Sequence, residues 1–217
     1  MSVNVDGREP KCRGMAPARP ETGAAREQRH GGRGSGENDD HFPPLRRHGV
    51  QRLAWEQWGA GRSIWWADIG ERELIVDQVA VDQAPPPADV AAVLGMEPAE
   101  PACVRSRRFV LDGKSVLLAT SFLPAALVAG SAIAQEDTGP GGLYARLAEL
   151  GGAPRQFREE IRSRMPSRDE ANRLRLSTDT PVFLITRTAF MDGGRPVEVN
   201  EMILDAAAYV LEYAMEA

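Results

Sequence analysis

The 217-residue chain is poor in the residues that do most enzyme chemistry. It has two cysteines, Cys12 and Cys103, far apart, which fits a reduced compartment and excludes a disulfide scaffold. Its three histidines, His30, His41 and His48, share one short polar stretch, and no paired cysteines accompany them. A structural zinc site is therefore excluded, and no metal or cofactor is expected. If folding begins near Leu53, the folded part holds no histidine, which removes His-based acid–base and triad chemistry. No Walker sequence occurs, and Gly139-Pro140-Gly141-Gly142 is not a GxGxxG phosphate loop. No run approaches the roughly 18 apolar residues of a membrane helix, and the first residues lack a basic-then-apolar leader, so the chain reads as cytoplasmic. A formal net charge of -5 argues against bulk attraction to nucleic acid or an anionic membrane.

What is present divides unevenly. Residues 1–50 carry nine Lys/Arg against seven Asp/Glu, whereas residues 51–217 carry seventeen against twenty-four. From Met15 to Phe42 there is no Leu, Ile, Val or aromatic residue between the two ends. Such a stretch buries nothing to offset its ordering entropy, so residues 1–45 read as a disordered tail. Residues 46–70 read as a linker strand or loop, and 71–217 as the folded domain. All four tryptophans (Trp55, Trp58, Trp65, Trp66) fall in that linker. They either pack it onto the domain or line a ligand mouth.

The domain reads as α+β. Leu74 to Val81 is strand-like with an interruption at Asp77-Gln78. Pro87 starts a short helix that Gly95 ends. Cys103–Leu111 and Val116–Phe122 flank an Asp112-Gly113 turn, a hairpin. Leu143, Leu147 and Leu150 lie on one helix face. Phe157, Glu159 and Ile161 alternate with charged residues, a half-buried strand. Ser167 and Glu170 form a capping box. A second hairpin, Val182–Phe190 and Val197–Ile203, repeats an arginine five residues before an Asp-Gly pair. Arg107 precedes Asp112-Gly113, and Arg187 precedes Asp192-Gly193, which hints at two related halves of one antiparallel sheet.

Chemistry then rests on strand arginines. Arg105 and Arg107 share a face, as do Arg162 and Arg164, because strand side chains repeat every two residues. Arginines on the inner face of a sheet need anionic partners. Two readings stand: internal pairing with Glu159, Glu160, Glu198 or Glu201, or a grip on an anionic ligand. Cys103 reads as a small core residue rather than a nucleophile.

An ordered series of short segments resembles the UTRA, or effector-binding, domain of HutC-type regulators in the GntR superfamily. The segments are Trp58 to Trp65, Arg105-Ser106-Arg107 before Asp112-Gly113, Thr120-Ser121-Phe122-Leu123-Pro124, and Gly142-Leu143-Tyr144 through Gly151. Arg164-Met165-Pro166, Arg187-Thr188 and Gly194 to Glu198 complete it. The resemblance implies a chorismate-lyase-like fold, an antiparallel sheet with flanking helices that binds a small anionic metabolite, and a homodimer. By position it implies effector-binding roles for Arg105, Arg107, Ser121, Arg164 and Glu198. It also implies a winged helix-turn-helix head that reads DNA. Residues 1–45 contain no apolar periodicity for such a head, although Arg46 to Val50 would fit a wing. DNA is thus expected as a partner only if a head is supplied. Ala119 stands where sugar-phosphate readers often carry glutamate, Ser115 replaces a usual proline, and Leu204 replaces a tyrosine. Two alternatives accompany this reading: a lyase acting on an enolpyruvyl acid, and a headless subunit that pairs with intact regulators.

Overall fold

A computed structural model describes residues 42–58, 64–177 and 179–215. Eight strands and six short helices occur among them: β1 (Leu45–His48), α1 (Trp55–Trp58), α2 (Trp66–Ile69), β2 (Leu74–Ala84), α3 (Ala88–Leu94), β3 (Ala102–Leu111), β4 (Lys114–Pro124), α4 (Ala125–Val128), α5 (Gly142–Glu149), β5 (Gln156–Arg164), α6 (Arg168–Leu174), β6 (Val182–Phe190), β7 (Pro196–Asp205) and β8 (Tyr209–Glu212). Six strands form one antiparallel sheet in the order β2-β3-β4-β7-β6-β5. The two hairpins pair through β4 and β7 at its centre. Each half is a strand, a short helix and a hairpin, so the two related halves expected from the repeated turns are present as β2-α3-β3-β4 and β5-α6-β6-β7.

Local chemistry explains the elements. The interruption at Asp77-Gln78 is a β-bulge: the register against β3 shifts between Asp77 and Ala80, and Gln78 sits at φ 48°. Pro87 is the N-cap of α3, and Gly95 closes that helix at φ 66°, a left-handed geometry that costs glycine nothing. The Ser167 hydroxyl accepts from the Glu170 N–H, while the Glu170 carboxylate accepts from the Ser167 N–H, the expected capping box.

Alternation along the strands gives the sheet two faces. On the back face, Val90, Leu94 and Met96 from the α3 region pack on Ala102, Phe122 and Val199, and Leu174 of α6 packs on Leu118 and Val182. Each such aliphatic side chain stabilises the fold by about 1.5–3 kcal/mol through burial. The other face, called the pocket face below, carries Cys103, Arg105, Arg107 and Phe109 from β3 and their register partners Leu123, Ser121, Ala119 and Leu117 from β4. One end of it is a core of Phe109, Leu111, Leu117, Ile185, Met202 and Leu204, capped by Leu45, Trp65 and Tyr209. The other end packs Cys103, Leu123, Ile133, Tyr144 and Leu147. Cys103 is buried, and burial raises its thiol pKa, as suits a core residue.

The start of the fold differs from expectation. Among the described residues the first strand begins at Leu45, ahead of Leu53, because β1 pairs in parallel with β8. Arg46 to His48 is thus a strand of this body rather than a wing. The stretch read as a linker strand contains two one-turn helices, α1 and α2, and residues 59–63 between them lie outside the described residues. His48 belongs to the folded part after all: its backbone N–H donates to Asp68 Oδ1 at 3.2 Å, and its ring Nδ1 lies 3.3 Å from the same oxygen. The disorder expected of residues 1–45 falls outside the described residues, except at its last four positions.

Candidate functional site

Arg105 and Arg107 both rise from the pocket face of β3, but they do different things. Arg105 is buried, and its Nη1 donates to the carbonyls of Ile133 and Gln135, while Nη2 donates to that of Glu136 at 2.9 Å. A planar fork can hold three carbonyls at once, and this one pins the loop after α4 above the sheet. Burial pulls the Arg105 pKa down, with Cys103 and Glu198 opposing.

Arg107 is half-buried, and its Nη2 donates to Ser121 Oγ at 3.0 Å. No carboxylate lies within ion-pair distance of it among the described residues, and its guanidinium lines the cavity below the pinned loop. Burial lowers its pKa. Ser121 is fully buried beneath that arginine and is not among the residues that line the cavity; its hydroxyl accepts from Arg107.

The cavity measures about 440 Å³, within the range of small-molecule sites. Ile64, Trp65, Val76, Val79, Phe109 and Leu143 supply its apolar wall. Trp65 stacks on Phe109 with ring centroids 4.7 Å apart. The two readings of the tryptophans therefore merge at Trp65, which is packed and lines the site. Trp55 is half exposed, and the side chains of Trp58 and Trp66 lie outside the description.

The polar wall faces Arg107 from β7. Glu198 is 1% exposed and Asn200 5%, and both line the cavity. Glu198 Oε2 and Asn200 Oδ1 are buried with no hydrogen-bond partner among the described residues. A buried acceptor left unmade costs about 1–3 kcal/mol, so these two oxygens mark a place for donors. Tyr144 of α5 also lines the cavity; burial and the nearby Glu198 charge push its hydroxyl pKa well up.

Behind Tyr144 runs a buried ionic line. Arg187 Nη1 donates to Tyr144 Oη at 3.2 Å, and its Nε donates to Glu159 Oε1 at 2.9 Å. Arg47 of β1 holds the same carboxylate, with Nη1 at 2.9 Å from Oε2 and Nη2 against Oε1. Tyr213 donates to Glu159 Oε2 at 2.9 Å. Burial alone would raise the Glu159 pKa, but Arg47 and Arg187 outweigh it and hold the group down at about 2. The internal-pairing reading of the strand arginines thus holds for Arg187, while Arg107 keeps an open guanidinium.

The structure brings Arg105, Arg107, Ser121 and Glu198 together and leaves Arg164 out. Arg164 has the opposite parity on β5 from Glu159, which puts it on the back face. There it holds Glu170 of α6 through two hydrogen bonds of 2.6 and 2.8 Å. The wall residues the sequence did not flag are Asn200 and Tyr144. Asn200 follows Glu198 by two positions on the same strand face, so parity alone points to it.

Comparison with known proteins adds the family. The UTRA domain model matches residues 71–210. A search of curated proteins finds no match. Among solved structures, one described as a GntR-family transcriptional regulator shares 24% identity and a TM-score of 0.62, over 68% of this chain and 61% of that one. This chain therefore spans about three fifths of that relative's length. PhnF from Mycobacterium smegmatis shares 24% identity over 71% of this chain and 67% of its own, with a TM-score of 0.63. A protein described as a transcriptional regulator from Streptomyces coelicolor shares 26% identity over 64% of this chain and 94% of its own, at 0.53. With a family match over most of the chain, on an antiparallel sheet that frames a buried polar cavity, this protein belongs to the UTRA domain family.

Proposed function

We propose that the cavity between the sheet and the Arg105-pinned loop binds a small anionic metabolite, and that this binding modulates DNA binding by a GntR-type, HutC-like regulator. The observation that carries the reading is the open Arg107 guanidinium opposite two buried, unpartnered acceptors, Glu198 Oε2 and Asn200 Oδ1. A purely structural pocket has no use for such a cost. In this proposal Arg107 grips the anion, Ser121 orients Arg107, Arg105 holds the roof, and Glu198 accepts from the ligand. Residues 71–217 form the ligand-binding domain, and 46–70 connect it to what precedes.

The ionic line gives the signal a route. Ligand contact at Tyr144 and Glu198 bears on Arg187, then Glu159, then Arg47 on β1, the first described strand. A ligand that binds one arrangement of this line better shifts the population toward it. DNA enters only through a winged-helix head, supplied by this polypeptide or by a partner chain. A homodimer in the cytoplasm completes the proposal.

A thermal-shift screen of the 217-residue chain against 3-phenylpropionate, citrate, glucose 6-phosphate and inorganic phosphate tests it. A ligand at 100 times its dissociation constant adds about 2.7 kcal/mol, a rise of roughly 5–10 °C for a domain of this size. A cooperative melt that no anion moves would remove the sensing role.

A further inference from the structure

The cavity's polar groups are specific enough to name the ligand's chemistry, and this step rests on the sensing role proposed above. We infer that the ligand is an apolar monocarboxylic acid that carries a hydrogen-bond donor, an amino or hydroxyl group, on the carbon next to the carboxylate.

Three observations lead there. The first concerns the anion. Of the two arginines in the cavity wall, Arg105 spends its guanidinium on the carbonyls of Ile133, Gln135 and Glu136. Arg107 alone stands open to an anion: among the described residues it donates to Ser121, lies 5.9 Å from the centroid of the Phe109 ring, and pairs with no carboxylate at ion-pair distance. One planar fork matches one carboxylate through two parallel hydrogen bonds. A phosphate dianion calls for more donors than one open guanidinium supplies. The rest of the lining carries Glu136 and Asp137 from the pinned loop and Glu198 from β7, which disfavours a second negative charge on the ligand.

The second concerns the donor. Glu198 and Asn200 offer two buried, unpartnered oxygens on the same face of β7. Acceptors of this kind are satisfied by N–H or O–H groups, not by a carbonyl or an ether.

The third is spacing. By bonding Ser121 Oγ at 3.0 Å, Arg107 leans off β3 and stands over β4. Asn200 is the register partner of Ser121 on the next strand. Neighbouring strands lie about 4.8 Å apart. The anion grip and the Asn200 acceptor are thus separated by about one strand spacing, with Glu198 two positions along the same strand face, so acid and donor sit on adjacent carbons rather than at opposite ends of a long molecule. The rest of the ligand meets Trp65, Val79, Phe109 and Leu143, an apolar wall that favours a hydrocarbon or aromatic side chain over a sugar.

Calorimetric titration of the 217-residue chain with a matched series tests this without any variant. The probes are L-phenylalanine, L-3-phenyllactate, 3-phenylpropionate, 2-phenylethylamine and glucose 6-phosphate. The inference expects L-phenylalanine or L-3-phenyllactate to bind at least tenfold tighter than 3-phenylpropionate, which lacks the donor, and than 2-phenylethylamine, which lacks the acid. Which of the two is tighter identifies the donor as amino or hydroxyl. In a Glu198→Gln variant that retains its unfolding midpoint, the advantage of the donor-bearing acid over 3-phenylpropionate shrinks at least tenfold. Equal or tighter binding of 3-phenylpropionate, or a preference for glucose 6-phosphate, overturns the inference while the sensing role stands. No binding by any acid or phosphate overturns both.

Discussion

Replacing Glu159 by glutamine isolates the ionic line that joins the cavity wall to β1. Glu159 lies between Arg47 and Arg187, which are 1% and 0% exposed. Glutamine keeps the volume and removes the charge. Arg47 then loses its ion-pair partner and Arg187 keeps only the more distant Glu198 charge; breaking buried pairs in this way costs about 3–5 kcal/mol. Proton linkage gives an independent figure. Burial opposes ionisation of Glu159, yet the arginines hold its pKa at about 2 against the ordinary 4.5. At 1.36 kcal/mol per pH unit, that difference is worth roughly 3 kcal/mol. The folded pKa is lowered, so this stability is fully present above about pH 5 and drains away as pH falls toward 2. Urea unfolding of both chains at a series of pH values reads both effects. The glutamine variant should be destabilised by about 3 kcal/mol at pH 7, and its stability should fall less steeply than that of the wild type between pH 5 and 2. Glu170, held by Arg164, also has its pKa lowered to about 2 and keeps part of the acid slope in both chains. A loss below about 1 kcal/mol at neutral pH, or parallel curves through the acid range, would refute the reasoning.

Other perturbations separate the parts of the site. Arg105→Lys should loosen the loop at Ile133 to Glu136, since an ammonium cannot fork to three carbonyls; faster amide exchange there and at least tenfold weaker acid binding are expected, with the back-face core unchanged. Ser167→Ala should cost about 1 kcal/mol in urea unfolding through loss of the α6 cap and leave ligand affinity alone. Gly49→Ala should lower the unfolding midpoint, because a Cβ there would come within 2.2 Å of the Tyr213 ring, and that tyrosine's hydroxyl holds Glu159.

The sheet was legible because its signals are local. Asp112-Gly113 sets one hairpin, Ser167 with Glu170 starts α6, and the Asp77-Gln78 interruption is a bulge rather than a strand end. Parity also placed Arg105 and Arg107 on one face. What spacing could not give was which cation is spent. Arg105 is consumed by carbonyls from a loop some thirty positions away, and Arg187 by a carboxylate on a neighbouring strand, while Arg107 is left open. Those outcomes depend on long-range packing, not on neighbours in sequence. Arg164 shows the same limit from the other side: its parity on β5 was readable, but which face of that strand meets the cavity depends on its pairing with β6. The β1–β8 pairing was missed because its two four-residue strands lie at opposite ends of the described chain, and neither carries a turn signal.

The most direct measurement of the central claim is calorimetric titration of the tightest acid from the phenyl series into wild type, Arg107→Ala and Arg164→Ala. Arg107 is the open anion grip, and Arg164 sits on the back face against Glu170. Loss of one charge-assisted pair is worth roughly 1.5–3 kcal/mol, or about ten- to a hundredfold in affinity. The account predicts that loss in Arg107→Ala and affinity within about twofold of wild type in Arg164→Ala. Unchanged binding without Arg107, or a comparable loss without Arg164, would contradict it.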